Sequence, residues 1–159
     1  MVTFRRGSEV TQKDVAAPPV PSAEGLTAEF YAHCRRHELS FQRCSGCGHW
    51  RHIPRLKCAD CGSSAWSWQR SSGRGVVFSS TVIHRALHPG LEEATPFVCA
   101  VVEMDEGVRM VARVVDVVTD GTAPVAGAAV EVVYMQVADD VVLPAFRLST
   151  VEGRSHDRS

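Results

Sequence analysis

Cys44-Ser45-Gly46-Cys47 and, after ten intervening residues, Cys58-Ala59-Asp60-Cys61 decide how this chain is read. Each C-x-x-C knuckle sets two thiols on one tight turn, where both reach the same ion. Four thiolates suit a tetrahedral soft-tolerant metal, and in a structural setting that means zinc first. Gly48 follows the first knuckle and Gly62 the second. A residue without Cβ lets the backbone turn through positive φ there and aim N–H groups at the sulfurs. The spacer is shorter than the common zinc-ribbon template but long enough for a small hairpin. Two disulfides, a redox dithiol and a four-thiolate iron centre are the competing readings.

Upstream of the knuckles the chain changes character twice. Residues 1–25 are rich in Pro, Ser, Ala and charge, which predicts a flexible leader. Residues 26–38 carry Leu26, Phe30, Tyr31 and Cys34 near helical spacing. Glu29 is placed in the first turn and Arg35, Arg36 and His37 near the last, an order that suits the helix dipole. Thr27 is a candidate cap if the helix is shorter. Phe30 and Tyr31 either pack the helix on the cysteine region or form part of an acyl-chain tunnel or a partner surface; the first is the simpler reading. Residues 39–66 form the metal ribbon, entered by the alternating run Leu39 to Arg43. Trp66 and Trp68 stand two apart and share a face of an extended strand.

Residues 67–150 read as β. Five runs rich in β-branched residues are separated by turn signals: Val76–Ile83, Phe97–Met104, Val108–Val115, Val130–Met135 and Val141–Phe146. Five short strands in so few residues predict a small closed barrel, and an OB-fold among barrels of this size. Asp139-Asp140 reads as a hairpin turn. The longest connection, Arg85 to Pro96, carries His88, Pro89 and Gly90, and long loops in compact domains are often functional. Residues 151–159 read as a flexible tail. The fold class is therefore mainly β: a helix, a ribbon, then a five-stranded barrel.

Charge is divided along the chain although the net value is −1. From Arg35 to Arg74 eight Arg and Lys face two acids; from Gly75 to Thr150 four Arg face ten acids. A basic head thus sits on an acidic body, and the head stays positive after four thiolates are set against Zn²⁺. Such a head suits phosphate groups, and the body does not. Single-stranded nucleic-acid binding is the alternative function, since ribbons and OB barrels both serve it; the acidic barrel and its few aromatics argue against it.

Met1 to Val20 holds charges and no apolar run, so no signal peptide is expected. No stretch approaches a membrane span, and a reducing cytoplasm fits. Cys34 and Cys99 read as small buried hydrophobes. His84 and His88 are four apart, but not on a helix, so no second metal site is expected. No nucleophile motif or phosphate loop is present, and no catalytic constellation stands out.

The order of helix, ribbon and barrel resembles the DUF35 family of proteins, which join a rubredoxin-like zinc ribbon to an OB-fold. The resemblance runs from about Glu29 to Leu148. It rests on Glu29-Phe30-Tyr31, Cys44-x-x-Cys47-Gly48, Pro54-Arg55 and Cys58-x-x-Cys61-Gly62-Ser63. It rests also on Ser72-Gly73-Arg74-Gly75, Thr81-Val82-Ile83-His84-Arg85, Pro96-Phe97, Glu103 to Arg109 and Pro144-Ala145-Phe146-Arg147. Ile53, Ala59 and Leu148 depart from it, each standing where proline is usual.

The resemblance implies an accessory subunit rather than a free-standing enzyme. Its expected partner is a thiolase-like or lipid-transfer-type enzyme subunit, in a heterotetramer of two chains each, or a MaoC-like hydratase. The shared ligand is a CoA thioester, from steroid side-chain or polyketide metabolism among others. Zn²⁺ is expected on Cys44, Cys47, Cys58 and Cys61. Arg51, Arg55, Lys57 and Arg74 are the candidates for holding CoA phosphates, and each competes with the simpler reading of a solvated surface charge.

Overall fold

The computed structural model describes residues 17–117 and 122–149. The expected tail and most of the expected leader, residues 1–16, lie outside them. Helix α1 (Gly25–Arg35) is followed by β1 (Ser40–Cys44), β2 (Trp50–Arg51), β3 (Trp66–Arg70) and β4 (Arg74–Ile83). A 3₁₀ turn (Pro89–Ala94) leads to β5 (Phe97–Met104), β6 (Arg109–Val115), β7 (Ala129–Ala138) and β8 (Val141–Leu148). Strands β2-β1-β3 make a small antiparallel sheet, and β4-β5-β6-β8-β7 close into a barrel. The barrel closes through one parallel pair, Val114 with Phe146 and Val115 with Arg147. This is the expected mainly β architecture, with the expected five barrel strands.

Helix α1 starts and stops earlier than its sequence pattern predicts. Glu24 takes the N-cap position through its backbone, so Thr27 and Glu29 lie inside the helix rather than at its cap and first turn. Glu29 instead accepts a hydrogen bond from Trp68 Nε1 at 2.6 Å. At the other end His37 has φ +56°, its N–H meets Cys34 O at 2.9 Å, and Glu38 N–H meets His33 O at 3.1 Å. That is the reversal glycine usually makes at a helix end. Here a histidine makes it, and its ring stacks on Tyr134 at 4.8 Å. The helix packs on β8 as well as on β1.

Alternation along β5 shows how the barrel fills. Val98, Ala100, Val102 and Met104 point inward and are buried, while their neighbours face out. Cys99 is therefore on the outer face and only half-buried, not in the core as its apolar surroundings predict. Cys34, on α1, is fully buried, and burial pushes its thiol up to about 11. The barrel core is continuous with Phe30 and Cys34 of the helix and with Leu39 and Phe41 of the ribbon. Gly75 stands where β4 crosses β5; a Cβ there would run into the Glu103 carbonyl oxygen. Asp139 and Asp140 form the expected turn between β7 and β8. Strand β3 pairs with β1 along its whole length, from Ser40 with Arg70 to Cys44 with Trp66. Residues 67–70 thus hydrogen-bond to the ribbon sheet rather than to the barrel. Trp66 and Trp68 lie edge to face at 5.6 Å, on one side of that strand as expected.

Candidate metal centre and flanking cavities

The four knuckle sulfurs all lie within 4.8 Å of one another. Cys44 Sγ is 3.5 Å from Cys61 Sγ, and Cys47 Sγ is 3.6 Å from Cys58 Sγ. A tetrahedron with metal–sulfur bonds of about 2.3 Å has edges of roughly 3.8 Å, so the set fits one zinc-sized ion. The two knuckles are built alike. Gly48 N–H reaches Cys44 O at 2.9 Å and Gly62 N–H reaches Cys58 O at 3.0 Å, with φ of +76° and +72°. The glycines close the turns through carbonyls rather than through sulfurs as expected. The amide aimed at sulfur is that of Gly46, 3.4 Å from Cys44 Sγ. The backbone N–H groups of Cys47 and Gly46 lower the Cys44 thiol, while the crowded sulfurs of Cys61, Cys58 and Cys44 push the Cys47 thiol up, so without a cation the four sulfurs do not all ionise together. Cys44 and Cys58 are buried, while Cys47 and Cys61 are exposed. Among the described residues this is the one group of three or more His, Cys, Asp or Glu placed to share an ion.

Two cavities flank the ribbon. The larger, about 460 Å³, lies between α1, the loop after β2 and the barrel, and its walls are largely apolar. Phe30 and Tyr31 enter it from the helix, Ile53 and Pro54 from the ribbon loop, and Phe97 and Leu143 from the barrel. Phe30 is buried as well, so the two readings of this helix meet in one residue. Pro18 and Pro19, which the sequence places in a flexible leader, line one side. Leu91, in the long loop before β5, also reaches it. A volume of this size is in the range of small-molecule sites.

The second cavity, about 350 Å³, lies where the ribbon meets the turn between β5 and β6. Arg51, Arg55 and Arg109 line it, and His52 and Ile53 line both cavities. The four basic candidates are thereby divided. Arg51 is only 6% exposed, although its sequence context reads as surface. Arg55 is exposed at the cavity, and Lys57 is exposed two residues on. Arg74 lies on β4, 3.9 Å from Asp105, and lines neither cavity. Sequence reasoning missed Gln42. Gln42 is fully buried and its Oε1 accepts the Arg55 N–H at 2.8 Å. Gln42 alternates with Ser40 and Cys44 rather than with Phe41, so the sequence carries no signal that this face of the strand is buried.

His52 packs against Phe30 and Phe41, each with ring centres 5.4 Å away. Burial pulls its imidazole down to about 4. A histidine kept neutral in the fold but free to charge when unfolded stabilises fully above its ordinary pKa of about 6.5. That contribution is lost as pH falls from there towards 4. The stability difference between metal-loaded wild type and His52→Phe is expected to shift by about 2–3 kcal/mol across this window. Urea unfolding of both proteins at several pH values checks it, and a difference that stays constant with pH contradicts it.

Comparison with known proteins adds the family. The model of the ChsH2 rubredoxin-like zinc ribbon domain matches residues 32–67, and that of the ChsH2 C-terminal OB-fold domain matches 68–135. A solved structure of an Ltp2-ChsH2(DUF35) aldolase superposes with a TM-score of 0.72 at 32% identity, covering 81% of this chain and 98% of that one. The chain belongs to the DUF35 family. Two curated relatives are longer proteins. A probable enoyl-CoA hydratase alpha subunit of Thermomonospora curvata is 32% identical over 90% of this chain and 44% of its own length. The 3-oxo-4,17-pregnadiene-20-carboxyl-CoA hydratase alpha subunit of Mycobacterium tuberculosis is 42% identical over 57% of this chain and 28% of its own. The chain thus spans less than half the length of these relatives. The DUF35 ribbon and barrel are the two parts the family models delimit, and the four cysteines fall in the first of them. No helix among the described residues of this DUF35 chain is long and apolar enough to cross a membrane.

Proposed function

We propose that this chain is an accessory subunit that binds a CoA thioester and completes the site of a separate acyl-CoA enzyme. The observation that carries the reading is the apolar cavity of about 460 Å³, walled by α1, the ribbon loop and the barrel, that opens beside a basic ribbon. The apolar cavity covers the acyl group, of steroid side-chain, polyketide or similar origin. Arg55 and Lys57, exposed on the ribbon loop, meet the CoA diphosphate; Arg51 is buried away from that exposed patch, and Arg74 lines neither cavity. Zn²⁺ on Cys44, Cys47, Cys58 and Cys61 holds the loop in place. The carbon–carbon chemistry belongs to the partner, a thiolase-fold enzyme such as a lipid-transfer-type aldolase, thiolase or acyltransferase. A complex of two chains each in the cytoplasm completes the proposal. The aldolase complex among the solved relatives supports this choice of partner. The hydratase subunits among the curated relatives favour a second reading, a MaoC-like hydratase as partner.

Purification of the untagged native complex, with the partner identified by mass, tests both readings. The double variant Arg55→Ala, Lys57→Ala is then expected to raise KM for a CoA thioester roughly ten- to hundred-fold while the complex still assembles. An unchanged KM in an intact complex removes these residues from the CoA site. Failure of any acyl-CoA enzyme to co-purify removes the larger reading.

A further inference from the structure

The cavity where ribbon meets barrel holds a feature that the acyl-CoA reading leaves unused. Arg51 is 6% exposed, and its Nε, Nη1 and Nη2 have no hydrogen-bond partner among the described residues. Gln42 is its cross-strand partner in the β1–β2 pair, so both side chains leave the same face of the ribbon. Gln42 Oε1 is already taken by the Arg55 N–H, which fixes the amide with Nε2 as an available donor; that nitrogen is buried and unpartnered too. A guanidinium and an amide thus leave paired register positions on one face of the ribbon, their nitrogens buried, with only N–H groups to offer. A buried charge left in this state is among the least favourable arrangements in a protein interior.

We infer that this junction is a binding site for a phosphate monoester, held bidentate by Arg51 with Gln42 Nε2 as a further donor. The cavity that Arg51 lines, about 350 Å³, has no carboxylate in its walls. Acids adjacent in sequence to the lining residues are engaged elsewhere: Asp60 with His49 at 2.8 Å, Glu106 with Ser71 and Ser72 at 2.9 and 2.6 Å, and Asp105 3.9 Å from Arg74, while Glu103 pairs with Arg109 at 2.8 Å. The cations left over are Arg51 and, at the rim, Arg55. Two positive charges match a dianion, and a phosphate monoester is close to dianionic at neutral pH whereas a carboxylate carries one charge. The planar fork of the guanidinium fits two phosphate oxygens at once. The monoester is either free phosphate or the 3′-phosphate of CoA. Only the second source rests on the function proposed above.

The test uses the full chain loaded with metal, in a buffer free of other oxyanions. Inorganic phosphate is expected to raise the unfolding temperature of the wild type. CoA is expected to bind roughly ten- to hundred-fold more tightly than dephospho-CoA, which lacks the 3′-phosphate. In Arg51→Met both effects disappear, and the chain without phosphate is at least as stable as wild type, because an unpaired buried charge has been removed. Gln42→Glu keeps the acceptor for the Arg55 N–H and supplies an internal carboxylate. It is expected to stabilise the chain without phosphate and to abolish the phosphate response. If phosphate stabilises through Arg51 while CoA and dephospho-CoA bind alike, the site stands and free phosphate is its ligand. Absence of any phosphate response in the wild type, or an equal response in Arg51→Met and Gln42→Glu, overturns the inference. Neither result depends on a partner enzyme, so the outcome is separable from that of the co-purification.

Discussion

Removing the metal is expected to dissolve the ribbon and spare the barrel. Strand β2 is two residues long, and residues 52–65 between β2 and β3 form no helix or strand. That loop is held by scattered turn hydrogen bonds and by Arg55 N–H on Gln42 Oε1 rather than by a strand ladder, so its shape depends on the four thiolates. Structural zinc sites contribute about 10–16 kcal/mol of apparent binding free energy at neutral pH, more than the whole stability of many domains. Cys58→Ser removes one of the two buried ligands and leaves a site with three thiolates. The wild type is expected to hold one zinc per chain, and this variant to hold it far more weakly. All three tryptophans, Trp50, Trp66 and Trp68, lie in the ribbon sheet and none on a barrel strand, so their fluorescence and near-ultraviolet dichroism report on the ribbon and the helix that Trp68 touches. Chelation should change these signals strongly while the far-ultraviolet β signal of the barrel persists. A folded, metal-free chain with native tryptophan signals would count decisively against a structural metal.

The features legible in the sequence were those with local periodicity. The C-x-x-C pairs and their trailing glycines announce the ribbon because ligand spacing and turn geometry are set within a few residues. The barrel strands announce themselves because β-branched runs alternate with turn residues, as Phe97–Met104 does. Features that depend on register did not show. Nothing in the sequence says that Gln42 lies opposite Arg51, so an arginine counted as a surface charge turned out to be buried. Nothing says that β3 continues the ribbon rather than opening the barrel, because a strand pattern does not name its neighbour. The helix end was misplaced because His37 takes a backbone conformation that glycine normally supplies. The large cavity was half visible: Phe30 and Tyr31 were candidates for a tunnel, but Ile53, Phe97 and Leu143 come together only in three dimensions.

The second large effect is expected at Phe146. It is fully buried, and it stands at the seam where the barrel closes, opposite Val114 of β6 and Val132 of β7. The parallel β6–β8 contact is a short one, with two register pairs, so side-chain packing rather than hydrogen bonding must hold it shut. Phe146→Ala deletes a ring from that seam and leaves a cavity that strands on both sides cannot fill without opening the barrel. Truncations of this kind cost about 3–5 kcal/mol, which lowers the unfolding temperature by roughly 10 °C or more. Leu148→Ala, two residues on and 43% exposed, serves as the control and should cost well under half as much. Phe146 belongs to the same continuous core as Phe30 and Phe41, so the variant also asks how far the barrel and the ribbon are one unit. Metal binding keeps the ribbon folded by its own means. Unfolding of Phe146→Ala followed by backbone dichroism is therefore expected to precede the tryptophan signal and metal release. Coincident loss of all three would show that the shared core couples the two parts more strongly than the metal separates them. An effect no larger than that of Leu148→Ala would mean that the seam is not what holds the barrel closed.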